Sequence, residues 1–273
     1  MVQAPALEAG NLADLARRSG ARAVVPVGSG SPHAYRLVDA AHDAQFFAAA
    51  REARFDAALV PRERRIRDVG VLAMDMDSTL ITIECIDEIA DFKGIKPDVA
   101  AITASAMRGE IDFAQSLTRR VALLAGLPAA DLASVYGERL RISPGAERML
   151  AAFKAAGAVT ALVSGGFTFF TDRLKSRLGL DFTLANRFEV RDDKLTGRVD
   201  GDIVDAQAKA RAIRELHARH PGLTVVIGDG ANDLPMFAEA DVSVAYRAKP
   251  VVREKATHTI DFCGLDAVVN LFV

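Results

Sequence analysis

The chain has no tryptophan, three tyrosines and two cysteines among its 273 residues. One cysteine pair, Cys85 and Cys263, cannot make a disulfide framework in a chain of this length. Neither sign of charge dominates: 34 basic residues stand against 36 acidic ones, a net charge of −2. A basic surface for nucleic acid is therefore not expected. No apolar run approaches the roughly 20 residues that a membrane-spanning helix needs. Residues 1–10 lack the basic stretch followed by an apolar segment that marks a secretory leader. These absences point to a cytoplasmic globular protein with no nucleic-acid or membrane partner. Half of the residues are apolar, ample for a core, and the length suits one large domain or two small ones.

What the chain does have is an apolar run that ends in two carboxylates. Val71-Leu72-Ala73-Met74-Asp75-Met76-Asp77-Ser78-Thr79-Leu80 reads as a short strand buried on both faces, as in a parallel sheet. The acids then sit at its carboxyl end, where open α/β sheets place their ligands. Two acids there are costly unless a metal ion or another cation compensates them, which points to chemistry on a phosphate.

Residues 1–65 are rich in Ala and Arg. Helical spacing covers 11–18 and 40–53, and 23–27 fits a short strand that Pro26 confines to a sheet edge. Gly28-Ser29-Gly30-Ser31 lacks the Lys-Ser/Thr ending of a phosphate loop and reads as a plain turn. This segment is expected to be a small α/β appendage, followed by the solvated linker Pro61-Arg62-Glu63-Arg64-Arg65. From residue 83 to 137 the spacing is helical, as in Ile86-Asp87-Glu88-Ile89-Ala90, with Gly94, Gly109, Gly126 and Gly137 as punctuation.

Past this insertion, strands and helices alternate. Ser143-Pro144 is expected to supply the N-cap and first position of a helix reaching Gly157. Residues 159–163 form a buried strand ending in Ser164-Gly165-Gly166, followed by a helix over 167–178 that Gly179 closes. A hairpin is expected over 188–199, turning near Asp192-Asp193-Lys194. A helix over 206–219 carries Lys209. Residues 224–227 form a buried strand running into Gly228-Asp229-Gly230, and 241–245 and 257–260 fit further strands. The alternation predicts an α/β fold, a parallel sheet with helices on both faces, whose strand-end loops converge at one edge.

Four pieces fall at those strand ends or on one helix: Asp75 with Asp77, Ser164-Gly165, Lys209, and Asp229 with Asn232-Asp233. Phosphoryl transfer to a carboxylate needs such a set. An aspartate is ionised at neutral pH and can act as nucleophile. Cations must screen its approach to a dianionic phosphate. A Mg²⁺ on hard oxygens from Asp75, Asp229 and a backbone carbonyl suits this, and Lys209 adds a second positive charge. The Ser164 hydroxyl and the N–H groups at Gly165 can hold phosphate oxygens at a helix start. Asp77 can protonate the leaving alkoxide and later activate water. Singly, each piece has a plainer reading. Asp-x-Asp also binds metal in nucleotide-sugar transferases, Ser164-Gly165-Gly166 makes a strand-to-helix turn, Lys209 is a surface lysine, and the segment after Gly228 caps the helix from Leu234. Their joint occurrence in this order carries the case.

With all four in place, the chain resembles the haloacid dehalogenase superfamily of phosphohydrolases. Asp75-Met76-Asp77-Ser78-Thr79 is similar to its first motif, Val163-Ser164-Gly165-Gly166 to the second, Lys209 to the third, and Gly228-Asp229-Gly230-Ala231-Asn232-Asp233 to the fourth. The resemblance spans about residues 70–273. It implies a Rossmann-like core at 66–82 and 143–273, an inserted helical cap at 83–142, Mg²⁺ dependence and a phosphoaspartate on Asp75. It also implies metal contacts from Asp75, the Asp77 backbone carbonyl and Asp229, with Asp233 assisting and Asn232 near the phosphate.

Caps close over such sites and choose the substrate. Glu84 and Arg120 could hold the ammonium and carboxylate of a free amino acid, although Arg119 stands beside Arg120 and charged cap residues are often simply solvated. The fuller pattern adds Leu80-Ile81, Glu84, Ile89-Ala90, Met107-Arg108-Gly109 and Phe113-Ala114-Gln115-Ser116-Leu117 with Arg120-Val121. It resembles the phosphoserine phosphatase family. That likeness implies that Glu84 binds the substrate ammonium and Arg120 its carboxylate. Met107 and Phe113 would line the pocket, and Ser164, Gly165, Lys209 and Asn232 would hold the phosphate. The expected substrate is O-phospho-L-serine, hydrolysed to L-serine and phosphate in the last step of serine biosynthesis. Competing readings are transfer to an acceptor such as homoserine, hydrolysis of another small phosphomonoester, a metal-dependent glycosyltransferase, and a sensing module with a vestigial site. Residues 1–65 fall outside the catalytic match. Relatives can carry an amino-acid-binding regulatory module of the ferredoxin-like type there, and this segment is short for a double one. Cys85 reads as an inert core residue, and His217 with His220 as a solvated helix end. A homodimer is one option that the sequence leaves open.

Overall fold

The structure, a computed structural model, describes residues 1–6, 9–27 and 33–272. The expected turn at Gly28-Ser29-Gly30-Ser31 lies outside the described residues. The first elements are β1 (Val2–Ala4), α1 (Ala9–Arg18), β2 (Ala23–Val27), β3 (His33–Val38), α2 (Ala44–Glu52) and β4 (Asp56–Ala57). Their strands form an antiparallel sheet in the order β2-β3-β1-β4. Pro26 therefore lies on an edge strand, where its missing N–H costs no ladder bond. The β-α-β-β-α-β succession is the ferredoxin-like arrangement, so the appendage forms one complete module. Leu12, Leu15 and Ala50 from its helices pack on Val2, Ala4 and Leu37 of the sheet.

One buried acid helps to tie the module to the rest of the chain, beside the Asn270–Gln3 hydrogen bond at 3.0 Å. The Asp56 carboxylate accepts backbone N–H bonds from Asp261, Phe262 and Cys263 at 2.7–3.2 Å. Its pKa is raised by burial, against the lowering effect of those bonds.

The second sheet begins with β5 (Val69–Met74). Then come α3 (Cys85–Phe92), α4 (Lys96–Met107), α5 (Phe113–Ala122) and α6 (Asp131–Ser134), followed by α7 (Ala146–Ala155), β6 (Val159–Phe167), α8 (Thr168–Leu178), β7 (Phe182–Arg191), β8 (Lys194–Asp200) and α9 (Ala206–Arg219). The chain ends with β9 (Leu223–Gly228), α10 (Leu234–Phe237), β10 (Val242–Tyr246), α11 (Pro250–Arg253) and β11 (His258–Ile260). The strand order is β11-β10-β9-β5-β6-β7-β8. Every pairing is parallel except the β7–β8 hairpin. Alternate β5 residues serve opposite faces: Leu72 and Met74 pack with α7 residues Met149, Leu150 and Phe153, while Val71 and Ala73 pack with α9 residues Ala212, Ile213 and Leu216. The chain winds outward in both directions from β5, so the carboxyl end of β5 is the switch point where such sheets bind ligands.

Two expectations shift. The helix after residue 142 does not start on Ser143 and Pro144. It starts at Ala146, with Gly145 ahead of it at φ +80°. The Pro144 carbonyl is taken by the Leu265 N–H at 2.7 Å, so residues 143–145 form a turn held by the C-terminal segment. The hairpin lies where it is expected, with Phe188 opposite Val199, but its first strand begins earlier, at Phe182, because the first half of β7 pairs in parallel with β6. Its turn lies at Asp192 and Asp193, both at positive φ, as a two-residue hairpin connection requires.

Helices α3–α6 lie between β5 and α7 and rest on the hairpin. Gly126 donates to the Leu195 carbonyl, and Leu195 donates to the Leu127 carbonyl. Asp112 and Gln115 close a reciprocal capping box on α5, a pattern of residues three apart that satisfies two orphan donors. None of the described helices is long and apolar enough to cross a membrane.

Candidate active site

β5 stays in the sheet up to Asp75, whose N–H donates to the Ile227 carbonyl of β9 at 3.0 Å. The chain then makes one wide turn, with Leu80 donating back to the Asp75 carbonyl and Ile81 to that of Met76. Ser78 sits at φ +55° inside it, an uncommon conformation for a non-glycine residue that clusters at functional sites. The turn brings Asp75 and Asp77 to a pocket of about 360 Å³, which Ser164, Gly165, Gly166, Asp229 and Asn232 also line. The strand-end loops that the sequence singles out therefore share one pocket.

Lys209 is buried, at 1% exposure, rather than on the surface. It reaches from α9 beneath the loops and places its ammonium 3.0 Å from Asp75 Oδ1 and 2.7 Å from Asp233 Oδ1. Burial pulls its pKa down, but the carboxylates of Asp233 and Asp75 outweigh this and hold it above the usual lysine range. Asp233 is saturated. Its Oδ2 accepts the N–H groups of Asp229 and Gly230, both at 3.0 Å, and its Oδ1 also takes Asn232 Nδ2 at 3.3 Å. A Cβ on Gly228 would collide with the Asp233 carboxylate, so only glycine lets the β9 strand end lie against that acid.

Asp75, Asp229 and Asp233 present carboxylate oxygens within 4.8 Å of one another. Asp75 Oδ1 is occupied by the Met76 N–H and Lys209, and Asp229 Oδ1 by the Thr79 hydroxyl at 3.0 Å. Among the described residues, nothing hydrogen-bonds the second oxygen of Asp75 or Asp229. Each of these two acids keeps one hard oxygen without a hydrogen bond, a donor type that fits a divalent cation of the Mg²⁺ type, so the cluster could hold a metal ion. The proton affinities agree with a site short of positive charge. Burial and then the Asp233 charge push the Asp75 pKa well above the carboxylate range and that of Asp229 up to about 6. Asp77 rises to about 7, through burial and then the charge of Glu84.

Ser164-Gly165-Gly166 lies at a register shift near the end of β6 and packs against the Asp75 turn. Gly166 donates its N–H to Ser164 Oγ at 2.9 Å. A Cβ on Gly166 would stand 2.6 Å from Met76 Cε and 3.0 Å from Asp77 Oδ2, so the absence of a side chain keeps this loop against the Asp75 turn. Asn186 Nδ2 holds the Gly165 carbonyl at 2.8 Å. Phe113 comes down from α5 until its ring is in contact range of Gly165.

From residues 84–120, Glu84, Ile86, Asp87, Thr103, Phe113, Leu117 and Arg120 join the lining. Arg120 faces the pocket and Arg119 is exposed away from it, which resolves the choice between the two neighbours. Glu84 accepts the Ser78 hydroxyl at 2.6 Å. Met107 is a correction: it lies at the C-terminal end of α4, 72% exposed, outside the lining. Thr103, one turn earlier on the same helix, takes that place. Thr79, Ser78, Asp87, Thr103 and Lys249 are site residues that spacing alone does not single out. Thr79 and Ser78 were visible inside the Asp75 motif, while Lys249 carries no sequence signal. Cys85 is buried, with its thiol pKa pushed up by burial, as expected of an unreactive core cysteine.

Comparison with known proteins places this geometry. A family model described as haloacid dehalogenase-like hydrolase matches residues 72–238, and a second of the same description matches 205–272. Phosphoserine phosphatase of Polaromonas sp. (strain JS666) is 52% identical over 215 residues, which are 76% of this chain and 91% of that protein. A solved probable phosphoserine phosphatase from Vibrio cholerae, in unliganded form, superposes with a TM-score of 0.87 at 37% identity. It covers 99% of this chain and 84% of its own, so the N-terminal module is shared as well. A phosphoserine phosphatase solved as a phospho-aspartyl intermediate analogue superposes at 0.70 with 38% identity, over 75% of this chain and 99% of its own. A family model covering more than half of the chain and a relative identical at half of its positions agree with the loops gathered at the end of β5: the chain belongs to the haloacid dehalogenase-like hydrolases.

Proposed function

We propose that the chain is a Mg²⁺-dependent phosphoserine phosphatase, hydrolysing O-phospho-L-serine to L-serine and phosphate. One observation carries the reading: the pocket lined by Asp75, Asp77, Ser164 and Asp229 is also lined by Glu84 and Arg120. An amino-acid phosphomonoester presents a dianion at one end and an ammonium and a carboxylate at the other. The pocket offers groups of matching chemistry in a volume suited to a small ligand. The segment 83–142 is read as the specificity cap.

Each residue then has a task. Asp75 attacks phosphorus and forms an aspartyl-phosphate. Lys209 holds the Asp75 carboxylate in line and balances its charge with that of Asp233. Ser164 and the N–H at Gly165 hold phosphate oxygens with Asn232. Asp77, with its raised pKa, carries a proton near neutral pH and passes it to the leaving serine oxygen. It then takes a proton from the water that hydrolyses the aspartyl-phosphate. Asp75, Asp229 and the Asp77 carbonyl would hold a Mg²⁺, which would neutralise phosphate charge when bound, and Asp233 steadies that loop. Glu84 takes the ammonium and Arg120 the carboxylate of the substrate.

The test is a panel of L- and D-phosphoserine, phosphothreonine and phosphoethanolamine with Mg²⁺, run with and without homoserine. The reading expects L-phosphoserine to lead and inorganic phosphate to be the product. Preference for phosphoethanolamine, or phosphohomoserine as the main product, would overturn it.

A further inference from the structure

One cation at this pocket has no task in the scheme above. Lys209 is committed, sealed beneath the loops between Asp75 and Asp233. Arg120 stands on the cap side near Asp87 and Glu84. Lys249 lines the same pocket from the core side, next to Asp229. It is exposed, and among the described residues its ammonium has no ion pair or hydrogen bond.

Its main chain, in contrast, is firmly held. The Lys249 N–H donates to the Asp229 carbonyl at 3.2 Å, and its own carbonyl accepts the N–H groups of Val252 and Arg253 at the start of α11. Pro250 follows and stiffens that start. Two residues earlier, Arg247 sits at φ +47°, a left-handed conformation that is strained for a non-glycine residue. Its N–H is held by the Ile260 carbonyl at 2.8 Å. The strained residue turns the chain after β10 back across the Asp229 loop, and the residue set down there is a lysine. A lysine serving solubility alone requires none of this.

The charge around the pocket gives the lysine its use. The lining acids are Asp75, Asp77, Glu84, Asp87 and Asp229, against Arg120 and Lys249. A divalent cation at Asp75 and Asp229 would cancel only part of that negative charge, so a dianion entering the pocket still gains from an uncommitted cation beside Asp229. We propose that Lys249 is a positioning residue that draws the phosphate dianion into the pocket and holds it on the Asp229 side before transfer. This rests on the phosphatase reading and adds to it a capture step. Such a residue acts on kcat/KM, through encounter and binding, rather than on kcat.

The experiment compares wild type, K249A, K249E and K249R at low and high ionic strength, on phosphoserine and on p-nitrophenyl phosphate. The expected result is a fall in kcat/KM of about 5- to 10-fold for K249A, a larger fall for K249E, and near-wild-type behaviour for K249R. kcat should stay within about twofold, and the wild-type advantage should shrink as salt screens it. Equilibrium binding of inorganic phosphate gives a readout without turnover, and K249E should bind it about 5-fold or more weakly. Unchanged kcat/KM and unchanged phosphate binding in both K249A and K249E would overturn the proposal, as would a kcat loss that arginine fails to rescue. If wild type hydrolyses p-nitrophenyl phosphate but not phosphoserine, the substrate reading falls while the Lys249 comparison still decides.

Discussion

The ammonium of Lys209 lies 3.0 Å from the carboxylate of Asp75, and both side chains are buried, with Asp75 lining the pocket. The same ammonium touches Asp233 at 2.7 Å. One buried cation thus serves two buried acids, one at the end of β5 and one in the loop after β9. Removing it leaves uncompensated charge in a dry site. K209M should abolish turnover, and in metal-free buffer at pH 8 it should lose about 3 kcal/mol of stability. The loss should be smaller at pH 5, where the orphaned acids can take up protons. Urea unfolding at both pH values in the presence of a chelator measures this, and a loss of equal size at both would contradict the charge argument.

The Asp77 pKa, raised to about 7 by burial and then by Glu84, makes stability depend on pH in a definite sense. A carboxyl whose folded pKa exceeds its unfolded value binds its proton more tightly when folded. Its contribution is therefore fully present below the unfolded value near 4 and is lost as pH rises through about 7. Metal-free wild type should accordingly lose stability relative to D77N between pH 4 and 7. E84Q removes one cause of the shift, so it should flatten that difference and move the alkaline limb of kcat/KM to lower pH. Titrated unfolding curves and pH–rate profiles of the three proteins check both statements.

Arg120 and the phosphate groups act on opposite ends of the proposed substrate, so their effects should separate. R120A should cost about 100-fold or more in kcat/KM for phosphoserine, the scale for a site left with an unmatched charged group. It should change phosphoethanolamine, which has no carboxylate, by only a few-fold. R119A, which removes a charge pointing away from the pocket, serves as the control and should behave as wild type. Equal losses on both substrates in R120A would mean that the guanidinium supports the cap instead of reading the carboxylate.

The Asp56 carboxylate accepts N–H groups from Asp261, Phe262 and Cys263, and joins the N-terminal module to the end of β11. D56A orphans those buried donors and should cost about 1–3 kcal/mol. It should also raise hydrogen exchange at residues 261–263 while leaving kcat unchanged. Exchange mass spectrometry with a parallel activity assay reads both effects.

The chemistry-bearing positions were legible because they fall at the ends of apolar runs, where strand burial and acid type conflict. Asp75, Asp77 and Asp229 are each visible for that reason. Lys209 is different: its place on a helix says surface, and only the packing of α9 beneath the strand ends shows it buried between two acids. Met107 was misplaced because resemblance gives a residue's role without its depth, and α4 turns that position outward. Ser143 and Pro144 carry a helix-start signal that lost to a tertiary bond, since Leu265 takes the Pro144 carbonyl. The N-terminal module was partly legible. Helix spacing marked α1 and α2, but β1 and β4, at three and two residues, are too short to leave a periodic trace. Lys249 has no local signal, because what places it is a bond to Asp229 twenty residues earlier.

Phosphoryl transfer through Asp75 is measured most directly by acid-quenching the enzyme within milliseconds of mixing with ³²P-labelled O-phospho-L-serine and Mg²⁺, then mapping the label. Wild type should carry acid-stable, hydroxylamine-labile label on the peptide containing Asp75, and D75N, folded as judged by circular dichroism, should carry none and show no turnover. Label on another residue, or substantial turnover by D75N, would contradict the mechanism.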